Sequence, residues 1–411
     1  MHVKNSSCNR ILIRMALALL AAGLVFCGTA AASFVPANSP RVKTMGRWIP
    51  ADNGSLYAGR GAVIVSADFE GNGVQAQMYS DSQGDVWWLK KLDDGPLYRF
   101  KAHMGINTLY QNLPQGKHTL TMIRDTEGMR GVTILRGFYF AGESEAAASA
   151  ANEASQSAVD SQPADRKRSR GKAAVANNRS PENIPPVPPA QLKPRRRSIE
   201  IIGDSVAAGA FIYPEGDYFQ RESGYLAFGP RLARMLNADW SCVASSGEGA
   251  VRNNEEKAPY TAKHAEEQIE RAFYTQKEPR WNNQMDDPDL VILAYGENDF
   301  NDAVNRPSDE YFKTQYKKLI LKLRQFRPGS VIFCMTPANT VTSQRSVPGM
   351  GGAVAELRAA GDSKVYFIDL NANGPLLNSP DFLDGVHPLA SGHEKIAQYL
   401  RYQTRILLGW N

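Results

Sequence analysis

The feature that most constrains this 411-residue chain is a break in its texture between Glu143 and Ser198. Apolar periodicity vanishes there, and the residues become Ala, Ser, Pro, Lys and Arg, as in "ADRKRSRGKAAVANNRSPENIPPVPPAQLKPRRRS". So few apolar side chains cannot bury enough surface to offset the entropy of ordering, which predicts a disordered, partly polyproline linker over 143–198. Two foldable regions remain on either side, each long enough to bury a core. The linker carries ten basic residues from Arg166 to Arg197, enough to account for the formal net charge of +5. The folded regions are therefore not basic, and a nucleic-acid partner is not expected. The charge run reads either as a solvated tether or as a weak contact with an anionic envelope surface, and the tether is preferred.

At the N-terminus Lys4, Arg10 and Arg14 precede the apolar run "MALALLAAGLVFCGTAAAS". A basic flank, an apolar segment and an Ala-x-Ala site make a secretory signal over 1–32, cleaved after Ala32. The alternative is a retained signal anchor, since Met15 to Ala32 just reaches membrane-spanning length. Both readings export the domains, to the periplasm or the exterior. A lipoprotein signal at Cys27 is disfavoured by the bulky Phe26 before it. Only Cys242 and Cys334 then remain, both inside apolar strand-like runs, and two buried thiols are preferred to a disulfide.

Over 41–142 short alternating segments are separated by Gly, Asp and Asn. In "GVQAQMYSD", Val74, Ala76 and Met78 share one face. Many short strands with almost no helical period predict a small all-β, jelly-roll-like sandwich. Its aromatics Trp87, Trp88, Tyr98, Phe138 and Tyr139 are expected in the core rather than on a sugar platform.

Over 199–411 the pattern changes to alternating strands and helices. "IEIIGDS", "ADWSCVASSG", "DLVILAYGEND", "GSVIFCMTP" and "KVYFIDL" read as five buried strands. "SDEYFKTQYKKLILKLRQFRPG" repeats Phe312, Tyr316, Leu319, Leu323 and Phe326 at helical spacing, with Ser308 as N-cap and Pro328-Gly329 as stop. The α/β class follows, as a doubly wound parallel sheet in flavodoxin-like order 2-1-3-4-5, with ligands at the carboxyl ends of the strands.

The unusual polar residues all follow those strand ends. Ser205 follows the first, Gly247 the second, Asn298 the third, and Asp384 with His387 the fifth. A serine hydroxyl is a weak nucleophile at neutral pH and needs an adjacent base, a task suited to a neutral imidazole. His387 is the candidate base and Asp384, three residues earlier, the group that orients it. The backbone N–H groups of Ser205 and Gly247 and the amide of Asn298 are candidate oxyanion donors. His264 and His393 are expected in surface or structural roles. No zinc motif or phosphate loop is present, and no cofactor is implied.

These blocks resemble the SGNH, or GDSL, hydrolases: Gly203-Asp204-Ser205, "SSGEG" around Gly247, Gly296 to Asp299, and Asp384 to His387. "GRWIPADNG", "QGKHTLTMIRDTEG" and "GVTILRGFYF" ahead of such a domain extend the resemblance to carbohydrate esterase family 2. The resemblance implies an exported esterase that removes O-acetyl groups from a carbohydrate polymer through an acyl-enzyme. The alternatives are an O-acetyltransferase acting on an envelope or exopolysaccharide glycan, and a non-catalytic carbohydrate-binding envelope protein. Two departures stand out. Glu297 replaces a threonine common in the relatives and is expected either to contact substrate or to face solvent. Val386 stands where many relatives carry an aromatic residue.

Overall fold

The computed structural model describes residues 32–81, 86–143, 196–262, 264–281 and 287–410. The signal segment and nearly all of the linker lie outside these described residues.

The first region consists of strands β1 (Ser33–Pro36), β2 (Val42–Met45), β3 (Ile49–Pro50), β4 (Leu56–Ala58), β5 (Ile64–Gly71), β6 (Gly73–Ser80), β7 (Trp87–Leu92), β8 (Tyr98–Lys101), β9 (Gly105–Tyr110), β10 (Gly116–Arg124) and β11 (Thr133–Ala141). They form two antiparallel sheets, β3-β4-β11-β6-β9 with β1 on β11, and β2-β5-β10-β7-β8. Period-2 alternation sends Val74, Ala76 and Met78 of β6 inward, where they meet Phe138 and Phe140 of β11. Phe69 of the opposite sheet stacks on Phe140 with ring centroids 4.8 Å apart. Trp88 and Phe138 lie in the core as expected, but Tyr98 is 54% exposed. It sits on the edge strand β8, which pairs only with β7.

The second region is a parallel sheet of β12 (Ser198–Gly203), β13 (Asp239–Ala244), β14 (Leu290–Ala294), β15 (Val331–Met335) and β16 (Val365–Ile368), in the order β13-β12-β14-β15-β16. This is the expected 2-1-3-4-5 arrangement. Around it lie α1 (Ser205–Ala208), α2 (Phe228–Met235), α3 (Ala265–Gln268), α4 (Glu297–Phe300), α5 (Asp309–Phe326), α6 (Thr340–Ala359) and α7 (Ala390–Leu408). The anticipated α5 has the Ser308 hydroxyl accepting from the Tyr311 N–H at 3.3 Å. Periodicity did not announce α6, because Pro348 and three glycines interrupt its pattern. Its N-terminus is capped by Asn339, whose Oδ1 accepts from Val341 and Thr342. Gly349 lets α6 approach α5 closely, since a Cβ there would stand 2.7 Å from the Phe312 ring. Cys242 on β13 and Cys334 on β15 are buried, free thiols separated by the intervening strands.

The two regions are docked through buried polar contacts. Arg47 donates to Glu200 Oε1 at 3.0 Å and to the carbonyl oxygens of Ile269 and Arg271 at 3.0 and 2.6 Å. Arg327 grips the other side of the same carboxylate at 3.0 Å. Arg60 donates to the Gln268 carbonyl, and Arg99 to the Glu222 carbonyl at 2.8 Å. The Trp240 indole N–H donates to the Ala62 carbonyl at 3.0 Å, and Ala62 itself packs in the core of the parallel-sheet region.

Candidate active site

The first strand ends in a tight turn into α1. Asp204 is its N-cap, with Oδ1 accepting from the Val206 N–H at 3.0 Å. Ser205 is the first residue of that helix, where a backbone N–H has no intrahelical acceptor. Its Oγ lies 3.0 Å from His387 Nε2, and His387 Nδ1 lies 2.7 Å from Asp384 Oδ2. The other oxygen of Asp384 accepts the N–H groups of Val386 and His387 at 3.0 and 2.8 Å. Partial burial alone would raise the Asp384 pKa, but the backbone N–H and ring of His387 draw it below 3.8. A serine, an imidazole and a carboxylate thus form one hydrogen-bonded chain at the carboxyl ends of β12 and β16, which lie far apart in sequence.

The loop after β13 brings in Gly247 with φ of +77°, a left-handed conformation that suits glycine. Asn298, on α4 after β14, donates through Nδ2 to the Glu248 carbonyl at 2.8 Å and keeps a second N–H for another acceptor. Its neighbour Asp299 accepts the N–H groups of Ala250, Val251 and Arg252 at 3.0, 2.7 and 2.9 Å. The two halves of the Asn-Asp pair therefore grip the same loop at different points.

Glu297 neither faces solvent nor lies open on the cleft. It is 4% exposed, and its Oε2 accepts from the Thr342 hydroxyl at 2.7 Å. Burial pushes its carboxyl up to about 7, with the Asp384 charge adding to the effect. As the first residue of α4, just after its N-cap Gly296, it is carried inward against α6.

Sequence reasoning missed the aromatic edge beside the imidazole. The ring of Phe211 lies 4.7 Å from that of His387, Tyr218 meets Phe211 edge-on at 4.9 Å, and the Arg221 guanidinium covers Phe211 at 4.6 Å. Phe211 has φ of +59°, uncommon for a bulky residue. The aromatic density of "AFIYPEGDYFQ" was the available signal. An aromatic neighbour to the histidine thus exists despite Val386, supplied from another loop. His393 is fully buried, its Nδ1 accepts from the Phe228 N–H at 3.1 Å, and burial lowers its pKa to about 3. His264 pairs with Glu256 at 2.6 Å, and both histidines have structural partners. Among the described residues no group of three or more His, Cys, Asp or Glu could hold a metal ion.

Comparison with known proteins places both regions. Residues 201–395 match the GDSL-like Lipase/Acylhydrolase family and residues 44–149 match Carbohydrate esterase 2 N-terminal. The chain is 25% identical over 356 residues to the Cellulase/esterase CelE of Acetivibrio thermocellus, covering 82% of this chain and 36% of that protein. It thus spans about a third of that relative's length. It is 22% identical over 387 residues to an Acetylxylan esterase / glucomannan deacetylase of Cellvibrio japonicus, covering 92% and 91% of the two chains. The solved structure of a family two carbohydrate esterase from Cellvibrio japonicus superposes with a TM-score of 0.71 at 21% identity, covering 93% of this chain and 99% of that one, which establishes a shared fold. With both regions matched in order along one chain, the protein belongs to the GDSL-like hydrolases in their carbohydrate esterase family 2 form.

Proposed function

We propose that the protein is an exported serine esterase that removes O-acetyl groups from a carbohydrate polymer. The observation that carries this reading is the hydrogen-bonded chain from Ser205 through His387 to Asp384 at the strand ends. Neutral His387, with its Nδ1 proton directed at Asp384, takes the Ser205 proton at Nε2 as Oγ attacks the acetyl carbonyl. The carbonyl π pair moves to oxygen, and that oxyanion is met by the N–H groups of Ser205 and Gly247 and the free N–H of Asn298. Collapse breaks the bond to the sugar oxygen, which takes the proton from His387 and leaves as an alcohol. Water, deprotonated by the same imidazole, then releases acetate and restores Ser205.

Export rests on the signal at 1–32, which lies outside the described residues. Among the described residues, no helix is long and apolar enough to cross a membrane. The polymeric substrate class rests on the activities named for the relatives. Acetate release across a panel of acetylated xylan, mannan and peptidoglycan tests the reading, with labelling of Ser205 by an organophosphonate. A wild-type protein no faster than Ser205→Ala on every ester would overturn it. Acetylated glycan accumulating in place of free acetate would reassign the chemistry to transfer.

A further inference from the structure

The loop that carries Gly247 is held from outside its own domain. Between β10 and β11 the sandwich sends the segment Asp125–Gly128 into the parallel-sheet region, and Glu127 on it is 1% exposed. Its Oε2 accepts the Ser246 backbone N–H at 2.7 Å. On the far side, the Gly247 carbonyl accepts from the Asn254 N–H at 2.8 Å. The peptide that presents the Gly247 N–H lies between these two anchored peptides. Glycine at positive φ resists rotation weakly, so the anchors set where that N–H points.

The anchor is itself rigidly built. Arg124 donates to the carbonyl oxygens of Ala58 and Gly131 at 2.7 Å each, fixing the backbone that leads into Glu127. Asp125 accepts from the Ser223 hydroxyl at 2.5 Å, and its carbonyl accepts from the Gly224 N–H at 2.9 Å. The Glu127 N–H donates to Glu222 Oε2 at 3.1 Å, and Glu222 is fully buried. Burial, together with the charge of Glu127, raises the Glu222 pKa to about 10, so near neutrality this carboxyl is protonated.

We propose that Glu127 of the sandwich is a positioning residue for the oxyanion donor Gly247, so that the catalytic site is completed across the domain boundary. The proposal rests on the esterase reading above. Losing the carboxylate would leave the part-buried Ser246 N–H without this partner and free the peptide after it to rotate. Misplacement of a donor by about 1 Å can cost on the order of a hundredfold in rate.

The test uses the full chain, an activated acetate ester, and Glu127→Ala, Glu127→Asp and Glu127→Gln. Glutamine keeps an oxygen at the same reach, whereas aspartate keeps the charge but is shorter by about 1.5 Å. Glu127→Gln should retain most of the turnover. Glu127→Asp and Glu127→Ala should lose about tenfold or more in kcat, with KM within about twofold and phosphonylation of Ser205 slowed in parallel. Aspartate performing as well as or better than glutamine would show that charge rather than reach matters, and would overturn the proposal. Wild-type kcat in Glu127→Ala, a loss confined to KM, or failure of all three variants to fold would do the same. Ser205→Ala is measured alongside: an inactive wild type condemns the esterase reading, whereas an active wild type with indifferent Glu127 variants condemns only this inference.

Discussion

The sandwich and the parallel-sheet region solve opposite problems with their charged residues. The sandwich closes an apolar core of its own and then directs Arg47, Arg60 and Arg99 outward, where they donate to groups of the second region. The parallel-sheet region draws Ser205, Asn298, Asp384 and His387 from its own strand ends. It still shares with its neighbour the pairing of Glu200, which is 3% exposed and held between Arg47 of the sandwich and its own Arg327. One region therefore carries the proposed reacting groups, and the other carries part of what keeps them in place. A carboxylate buried this deeply without partners would cost several kcal/mol.

The sharpest form of that division is Ser205→Ala, which should lower turnover by roughly 10⁴- to 10⁶-fold while the melting temperature stays put. A comparable loss of activity from any sandwich substitution that leaves the protein folded would break the comparison. The converse experiment is Arg47→Leu. It strips one arginine from Glu200 and leaves the Ile269 and Arg271 carbonyls without that donor, so denaturant unfolding should show a loss of about 3–5 kcal/mol. Protein that remains folded should turn over at close to the wild-type rate. Asn298→Ala comes next, with an expected fall in kcat of about 10²–10³, and a change seen only in KM would make it a sugar contact instead.

A smaller effect should appear in the pH dependence of stability. Glu297 is held up to about 7 against an ordinary 4.5, so between those values the folded protein binds more protons than the unfolded chain. The stability contributed by the neutral form is complete below about pH 4.5 and is lost as pH rises through 7. The span corresponds to on the order of 3 kcal/mol, and Glu297→Gln should flatten that part of the melting-temperature profile. Equal slopes in the two proteins would show that Glu297 is already ionised in the fold.

The smallest change is expected from cutting the chain between Arg166 and Arg197 with trypsin. The interface holds the halves without the linker, so the nicked protein should elute as one species with unchanged turnover. A solvated tether between two independent regions would leave the catalytic region able to work alone on small esters. With Glu200 and the Ser246 N–H relying on the sandwich, a separated 199–411 fragment should instead lose activity on small and polymeric esters alike. Full activity of that fragment on a small ester would restore the tether reading.

The parallel sheet was legible because its signals are local: a run such as "DLVILAYGEND" carries its own burial pattern, and strand ends are where a doubly wound sheet exposes residues. Ser205, Gly247, Asn298, Asp384 and His387 could be named on that basis. The helix from Thr340 to Ala359 was hidden because Pro348 and its glycines read as turn signals, and only packing against Phe312 gives them a reason.

What the sequence determined by itself was the fold class of each half and the residues placed at the strand ends, because periodicity is written within a few residues of where it acts. The tertiary structure decided what those residues meet. Phe211 against His387, Glu297 turned inward to Thr342, Arg47 on Glu200 at a separation of 153 residues and Glu127 on Ser246 at 119 all depend on how two finished surfaces dock. A buried charge must be paired wherever the chain happens to bring a partner, and no local pattern records which distant group that will be.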